Sequence, residues 1–107
     1  MVKILTIDNF DREFKRLAKK YNSIKADLGS LLEELHNQPR LGTALGDNAY
    51  KIRLAISSKN KGKSSGARVI TYFITDNNEL YLLSIYDKSE RAAISDKVLK
   101  KLIKNIP

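Results

Sequence analysis

Residues 67–86 decide the fold of this chain, and they read ARVITYFITDNNELYLLSIY. The segments 67–75 and 80–86 are rich in β-branched and aromatic residues, a composition typical of β-strands. Between them, Asn77 and Asn78 tolerate the positive φ angles that a short hairpin turn needs. The sequence therefore predicts two antiparallel strands joined by a tight turn.

A third strand precedes this hairpin. Residues 50–56 alternate between the two faces of a strand, with Lys51 and Arg53 on one face. The opposite face carries the larger apolar side chains of the segment, those of Tyr50, Ile52, Leu54 and Ile56. Residues 40–48 and 57–66, on either side of this strand, are rich in polar residues and glycine, and both are predicted to be loops.

The strand at residues 67–75 is largely apolar on both faces. One face carries Arg68, Ile70, Tyr72 and Ile74, and the other carries Val69, Thr71 and Phe73. We therefore expect this strand to lie in the centre of the sheet, with a covering element on each side. The C-terminal helix or a partner protein is expected to cover the second face.

The N-terminal half of the chain is predicted to be a strand followed by two helices. Residues 2–7 are rich in β-branched residues, and Asp8 or Asn9 is expected to cap the first helix. Apolar residues then recur at helical spacing in two runs, Phe10, Phe14, Leu17 and Tyr21, and Ile24, Leu28, Leu31, Leu32 and Leu35. The short break between the two runs predicts an antiparallel helical hairpin.

The last predicted element is a helix from about residue 96 to residue 105, with Ser95 as its N-cap. Val98, Leu102 and Ile103 are expected to face the core, and the lysines of this helix to face solvent. The complete order is β-α-α-β-β-β-α. It predicts an α+β fold with an antiparallel-rich four-stranded sheet, an N-terminal helical hairpin and a C-terminal helix, in a single domain spanning residues 1–107.

The composition excludes several classes of site. The chain has 107 residues, no cysteine and one histidine, His36. Disulfides, cysteine zinc sites and sites built from two histidines of one chain are therefore excluded, and His36 is expected to be structural or solvated. We expect no metal and no cofactor. The sequence shows no long apolar segment and no signal peptide, so we expect a cytoplasmic protein without a membrane partner.

The net charge of +8 is concentrated in one window. Between Asp47 and Asp76 there is no acidic residue, and this window holds six cations, Lys51, Arg53, Lys59, Lys61, Lys63 and Arg68. Grouped cations repel one another, and a bound phosphate backbone would relieve that repulsion. Tyrosines on the strands, Tyr50, Tyr72, Tyr81 and Tyr86, could offer stacking surfaces to a base. A solvated loop and the exposed face of a half-buried strand are the alternative interpretations.

RNA cleavage suits the side chains that this chain offers. The 2′-hydroxyl of RNA can attack the adjacent phosphate, so no metal-bound water is needed as the nucleophile. Catalysis then needs alignment, a base, an acid, and cations around the developing negative charge. A lysine crowded by other cations loses its proton more easily and can act as the base.

Three segments resemble one known family. They are residues 50–55 (YKIRLA), 61–70 (KGKSSGARVI) and 80–90 (LYLLSIYDKSE), and they resemble the RelE/HigB toxins of bacterial type II toxin–antitoxin systems. The resemblance implies the fold order given above and a ribosome-dependent endoribonuclease that cuts mRNA in the ribosomal A site. It also implies contact with the ribosome and its rRNA, and a cognate antitoxin, often with a helix-turn-helix domain.

The resemblance also implies roles for individual residues. Lys51 and Arg53 match the family's basic pair on the second strand, which are candidates for the base and for phosphate contact. Arg68 matches an arginine that is a candidate transition-state stabiliser. Lys88 and Arg91 match a basic cluster that follows the last strand.

Two positions depart from the classical pattern of the family. Ser89 stands where that pattern has an arginine proposed as the general acid, and Ser95 stands near the place of a base-stacking tyrosine, for which Tyr86 or Tyr72 is expected to substitute. The predicted catalytic residues are Lys51, Arg53, Arg68, Tyr86 and Lys88. The predicted RNA-binding residues are Lys59, Lys61, Lys63, Tyr72 and Arg91.

Two other functions remain open on the same fold. A ParE-like relative would poison DNA gyrase by binding protein, and a basic RNA-binding domain would act without catalysis. The grouping of Lys51, Arg53 and Arg68 favours RNA cleavage, because a gyrase-binding protein does not need it.

Overall fold

The structure is a computed structural model that describes residues 1–59 and 66–107. The α+β class and the order of the predicted elements are confirmed. The helices are α1 (Asp8–Lys20), α2 (Ile24–Asn37) and α3 (Asp96–Lys104). The strands are β1 (Lys3–Thr6), β2 (Thr43–Gly46), β3 (Ala49–Leu54), β4 (Ala67–Ile74) and β5 (Glu79–Asp87), and a single 3-10 turn follows β3 at Ser57–Lys59.

The sheet has five strands rather than the predicted four, in the order β1-β5-β4-β3-β2. Neighbouring strands from β2 to β5 are antiparallel, and β1 lies parallel to β5. The additional strand, β2, falls in residues 40–48, for which the prediction of a loop was wrong. Asp47 and Asn48 both have positive φ angles, 53° and 65°, and join β2 to β3 in a tight turn.

Strand β2 has a weak sequence signal for a physical reason. It has four residues, and three of them are exposed, so no run of alternating apolar side chains marks it. The preceding Gly42 allows the close approach to β3. Its φ is +105°, and a Cβ at this position would collide with the carbonyl oxygen of Lys51.

Strand β4 lies in the centre of the sheet with a core on each face, as predicted. Val69 and Phe73 pack with α1 and α2, while Ile70 belongs to a second core on the opposite face. Leu99 and Leu102 of α3 are buried in that second core. The C-terminal helix is therefore the element that covers the second face of the sheet.

The predicted buried face of α3 was partly wrong. Leu99 and Leu102 are buried and Ile103 packs against them, whereas Val98 is 41% exposed. Ser95 is the N-cap, as predicted, and its hydroxyl accepts a hydrogen bond of 3.2 Å from the backbone N–H of Val98. Val98 lies in the first turn, where its amide is used by the cap and its side chain faces solvent.

The first helix begins without a side-chain cap. Its N-cap residue is Ile7, and Asp8 and Asn9 are already helical, so the prediction that one of them caps the helix was wrong. Asn9 instead donates hydrogen bonds from Nδ2 to Glu13 Oε1 at 2.8 Å and to the carbonyl of Leu83 at 3.0 Å. The amide of Asn9 thus ties α1 to β5.

His36 lies near the end of α2 and is half-buried. Its Nδ1 is 3.2 Å from the carbonyl oxygen of Val2, the residue just before β1. This contact joins α2 to the start of the chain, and it is consistent with the structural role expected for His36.

Candidate functional site

Three predicted site residues form one row across the sheet. Arg53 of β3 lies directly opposite Arg68 of β4, and Arg68 lies directly opposite Tyr86 of β5. Residues opposite each other in antiparallel strands project from the same face, with Cβ atoms about 5 Å apart. The hairpin register therefore places two guanidinium groups and a phenol on the face that α3 also covers.

The two arginines of this row lie in different environments. Arg68 is 4% exposed, and its Nη1 donates a hydrogen bond of 3.1 Å to the carbonyl of Ala67, whereas Arg53 is exposed. Like charges directly opposite each other destabilise a sheet. A bound anion between Arg53 and Arg68 would attract both guanidinium groups and would offset the repulsion between them.

Lys51 is on the same face of β3 as Arg53, two residues earlier. The rise of a strand separates their Cα atoms by roughly 7 Å. Lys51 is half-buried and lies opposite Ile70. The structure thus brings Lys51, Arg53 and Arg68 together on one surface, with a lysine, an exposed arginine and a buried arginine in adjacent positions.

Tyr86 does not present its ring to solvent. Its side chain is 3% exposed, and the guanidinium carbon of Arg91 lies 5.3 Å from the centre of its ring. Burial raises the pKa of the Tyr86 phenol, while the positive charges of Arg68 and Arg91 act in the opposite direction. In the described part of the chain, its hydroxyl has no hydrogen-bond partner. In this conformation Arg91 covers the ring of Tyr86, so a base stacks on that ring only after Arg91 has moved.

Lys88 and Arg91 lie in the turn that follows β5. Arg91 is exposed apart from its contact with Tyr86. The ammonium group of Lys88 donates a hydrogen bond of 3.1 Å to the carbonyl of Ala92 within the same turn. Both cations therefore lie at the end of β5 that carries Tyr86, next to the row formed by Arg53 and Arg68.

A buried carboxylate at the same end of β5 was missed by the sequence interpretation. Asp87 is fully buried, and its Oδ2 accepts a hydrogen bond of 2.6 Å from Tyr21, while Oδ1 accepts from Lys59 at 3.0 Å. The backbone N–H and hydroxyl of Ser89 also donate to Oδ1, at 2.9 and 2.8 Å. Burial alone would raise the pKa of Asp87, but these hydrogen bonds outweigh it and hold the pKa well below its usual range.

This network changes the interpretation of Lys59. The side chain of Lys59 is 14% exposed, pairs with Asp87 and lies 5.4 Å from the centre of the Tyr21 ring. Burial lowers the pKa of Lys59, but the carboxylate of Asp87 and the hydroxyl of Tyr21 together raise it by more, so the net direction is upward. The structure thus gives Lys59 a contact with the core, and its contact with RNA stays a prediction. The predicted loop lysines Lys61 and Lys63 lie outside the described residues.

Tyr72 lies apart from the arginine row. It is four residues after Arg68 on β4, which corresponds to roughly 13 Å along a strand. Tyr72 is half-buried and lines a cavity of about 520 Å³ with Lys100 and Lys104 of α3. The structure therefore does not bring the predicted RNA-binding residue Tyr72 together with Arg68 and Arg91.

A second carboxylate that the sequence did not predict, that of Glu13 on α1, supports β5 from the sheet face opposite the arginine row. The pairing of β4 with β5 shifts register between Ile70 and Thr71, which leaves Leu83 as an extra residue in a β-bulge. Glu13 of α1 accepts hydrogen bonds at this bulge from the hydroxyl of Ser84 at 2.7 Å and from the N–H of Ile85 at 3.3 Å. Glu13 thereby satisfies a hydroxyl and a backbone N–H at the bulge.

Two kinds of feature are absent from the residues that the structure describes. Residues 1–59 and 66–107 contain no group of three or more His, Asp or Glu residues placed to hold a metal ion. Within the same ranges, no helix is long and apolar enough to cross a membrane.

Solved structures of bacterial toxins have the same fold. The chain matches an E. coli RelE toxin in the free state, with two arginines replaced by alanine, at 22% identity and a TM-score of 0.62 over 100% of both chains. It matches the same variant in complex with a peptide of the antitoxin RelB at 23% identity and a TM-score of 0.56, again over 100% of both chains. A metal-bound toxin from Helicobacter pylori matches at 20% identity and a TM-score of 0.55, over 85% of this chain and 99% of that chain.

The family assignment comes from the sequence match. A family model described as the RelE toxin of the RelE/RelB toxin–antitoxin system matches residues 9–106. The match includes α1 from its second residue, α2, α3 and every strand except β1, as well as the row formed by Arg53, Arg68 and Tyr86. The chain therefore belongs to the RelE toxin family of toxin–antitoxin systems.

Proposed function

We propose that this chain is the toxin of a type II toxin–antitoxin system and cleaves mRNA in the ribosomal A site. The observation that carries the proposal is the direct juxtaposition of Arg53 and Arg68, with Lys51 on the same face. Guanidinium groups match the charge and geometry of a phosphate, and two opposed positions of the sheet each supply one. The family match supports the same function.

The proposed reaction is an attack within the RNA chain. The 2′-hydroxyl oxygen forms a bond to the adjacent phosphorus, and the bond from phosphorus to the 5′ oxygen of the next nucleotide breaks. Lys51, with its amine deprotonated, accepts the proton of the 2′-hydroxyl, and the ammonium group of Lys88 donates a proton to the departing oxygen. The products are a 2′,3′-cyclic phosphate and a free 5′-hydroxyl.

The arginines stabilise the charge that develops on the phosphate. Negative charge grows on the non-bridging oxygens as the new bond forms, and preorganised donors stabilise it without further reorganisation. Arg68 is proposed for this role. Because it is 4% exposed and donates to the carbonyl of Ala67, its guanidinium meets the phosphate only after the residues that cover it move. Arg53 is exposed and is proposed to contact the incoming phosphate. Tyr86 is proposed to support Arg91, whose guanidinium carbon lies 5.3 Å from the centre of its ring.

The proposed substrate arrives on the ribosome. The chain offers cations and a base, and the ribosome is proposed to hold the A-site mRNA in line for attack, which supplies the alignment that the reaction needs. Arg91 is proposed to contact RNA at the edge of the site, with Lys61 and Lys63 contributing phosphate contacts. The excess of positive charge favours approach to rRNA.

An antitoxin is the second proposed partner. A variant of E. coli RelE was solved in complex with a peptide of its antitoxin RelB, which supports a cognate antitoxin for this chain too. We propose an antitoxin with a helix-turn-helix domain, acting in the cytoplasm on a single toxin domain, residues 1–107. Metal ions and cofactors have no part in the proposed reaction.

Mapping of RNA 5′ ends tests the proposed function. The protein is expressed in bacteria from a controlled promoter, and 5′ ends are sequenced before and after growth stops. We expect new 5′ ends in phase with codons on translated messages, and no cleavage of the same messages once their start codons are removed. Intact mRNA together with induction of the DNA-damage response would overturn the proposal in favour of gyrase poisoning. Intact mRNA without that response would favour RNA binding without catalysis.

A further inference from the structure

The turn after β5 is held in place from several directions. The backbone carbonyl of Asp87 accepts hydrogen bonds from the N–H groups of Glu90 and Arg91, each 3.0 Å long. The side chain of Asp87 accepts two further hydrogen bonds from Ser89, at 2.9 and 2.8 Å. One residue thus binds three of the four residues that follow it, which defines the path of the chain from β5 to Arg91.

The same carboxylate connects this turn to the core of the protein. Tyr21, between α1 and α2, and Lys59, after β3, donate to the Asp87 carboxylate at 2.6 and 3.0 Å. A buried carboxylate with four donors is costly to move, because each lost partner leaves part of the charge unsatisfied. Asp87 therefore fixes the start of the turn relative to the helical hairpin and to the end of β3.

A further contact holds the turn from outside. Glu90 accepts from the guanidinium of Arg16 on α1 at 3.2 Å, and Lys20 lies 3.9 Å from the same carboxylate. All three side chains are well exposed, so this contact contributes little to stability. The two sets of contacts act together, because both connect the turn to α1 or to Tyr21, the residue that follows it.

The turn carries two cations of the proposed site. Lys88 follows Asp87 directly, and Arg91, whose N–H is bound by Asp87, places its guanidinium over Tyr86. Tyr86 is the residue that pairs with Arg68 across the sheet. A change in the turn would therefore move Arg91 and Lys88 relative to Arg68 while leaving the arginine row itself in the sheet.

We propose that Asp87 is a positioning residue for the RNA-cleavage site, because it holds the turn at residues 87–91 so that Arg91 and Lys88 face the substrate. Asp87 acts through these cations and does not touch the RNA. The carboxylate projects toward Tyr21 and Lys59, away from the face that carries Arg68 and Tyr86. The proposal rests on the proposed function, since it assigns Asp87 a part in that reaction.

Single-turnover cleavage of ribosome-bound mRNA tests this proposal. Rates are measured at increasing concentrations of programmed ribosomes for the parent, Asp87→Asn, Arg91→Ala and the double variant. We expect Asp87→Asn to lower the rate at saturating ribosomes by roughly 10- to 100-fold, because small misplacements of catalytic groups have effects of this size. We also expect the double variant to be faster than the product of the two single effects predicts, since Asp87 acts in part through Arg91.

Two further variants separate positioning from a loss of stability. Ser89→Ala removes one donor from the turn at an exposed position and leaves the core contacts of Asp87 intact. It is expected to slow cleavage without lowering the thermal unfolding temperature by more than a few degrees. Asp27→Asn is the matched control, because Asp27 accepts similar hydrogen bonds from Ser57 and Ser23 away from this turn. It is expected to lower stability and leave the saturating rate unchanged.

Every outcome decides between the two proposals. If the parent cleaves mRNA and Asp87→Asn or Ser89→Ala, while folded, cleave at the parental rate, the positioning role is wrong and the proposed function stands. Strictly multiplicative effects of Asp87→Asn and Arg91→Ala would likewise overturn it. If Asp87→Asn does not fold, Ser89→Ala decides alone. If the parent does not cleave ribosome-bound mRNA at all, the proposed function fails and the positioning role fails with it.

Discussion

At the scale of single residues, the protein depends on charged groups that are buried with their partners. A carboxylate removed from water is strongly destabilising unless hydrogen bonds replace its hydration. Asp87 meets this condition with donors from Tyr21, Lys59 and Ser89. Breaking such a network by removing one partner leaves the rest of the charge buried and underpaired.

The stability of the protein is expected to fall in acid because of Asp87. Its pKa in the folded protein lies below the ordinary value of about 3.9 for an unfolded chain. A depressed folded pKa gives stability that is fully present above the unfolded value and is lost as the pH falls through the folded value. Urea unfolding between pH 7 and pH 2.5 should show a steep loss below about pH 4. The same series on Asp87→Asn should show a shallower loss, and an equal loss would contradict the assignment.

Replacing Tyr21 by Phe is expected to destabilise the protein by about 1–2 kcal/mol, because the charged acceptor Asp87 loses its shortest hydrogen bond. Tyr50→Phe is the matched control. The hydroxyl of Tyr50 accepts a hydrogen bond of 2.7 Å from the exposed Arg40. Loss of this exposed hydrogen bond should change stability by less than about 0.5 kcal/mol. Chemical denaturation of both variants measures the difference, and equal effects would show that the Asp87 network contributes nothing special.

At the scale of elements, the central strand β4 requires cover on both faces, and α3 provides the second cover. The apolar pattern of residues 67–75 predicted this arrangement, because both faces of the strand are apolar. The pattern within α3 did not show which side chains are buried. Helical periodicity allows either Val98 or Leu99 to share a face with Leu102, and the packing against Ile70 and Tyr81 decides for Leu99.

The replacement Leu99→Ala tests the packing of α3. Leu99 is buried in the second core, so we expect the free energy of unfolding to fall by about 2–4 kcal/mol. Val98→Ala, at the neighbouring exposed position, should change it by less than about 0.5 kcal/mol. Thermal unfolding of the two variants is the measurement. A larger effect at Val98 than at Leu99 would mean that α3 packs in the register first expected from the sequence.

The sequence predicted strong elements better than contacts made between distant elements. Strands β3, β4 and β5 have clear apolar patterns, and short connections favour the pairing of neighbours. The sequence therefore predicted that Arg53 and Arg68 lie on neighbouring strands, and the structure supplies the register that places them directly opposite each other. Asp87 and Glu13 were missed because their partners lie in other elements, at Tyr21 and Ser84. A lone acidic residue at the end of an otherwise apolar strand was the signal available for Asp87.

At the scale of the whole molecule, the charge of +8 is divided among different tasks. Arg53 and Arg68 lie on the sheet face proposed for RNA cleavage, and Lys59 pairs with Asp87 in the core. Lysines on α3, such as Lys100 and Lys104, border a separate cavity. The window from Asn48 to Thr75 therefore combines cations proposed to act on RNA with one cation that stabilises the fold.

The salt dependence of ribosome binding tests the division of this charge. Replacing Lys59, Lys61 and Lys63 together would mix two effects, because Lys59 contacts Asp87. The double variant Lys61→Ala/Lys63→Ala isolates the phosphate contacts. Its slope of log affinity against log salt should be shallower than the parent's by roughly 1.5–2. An unchanged slope would mean that these two lysines are only solvated.

The central claim is that the sheet face with the paired arginines is an RNA-cleavage site, and the rate of one variant tests it most directly. We expect Arg68→Ala to cut ribosome-bound mRNA at least about 100-fold more slowly than the parent in single-turnover reactions, since it removes a preorganised donor to the reacting phosphate. Lys104→Ala, which removes the same charge from α3, should cleave at the parental rate. Circular dichroism and thermal unfolding establish that both variants are folded. Cleavage by folded Arg68→Ala at the parental rate would contradict the account.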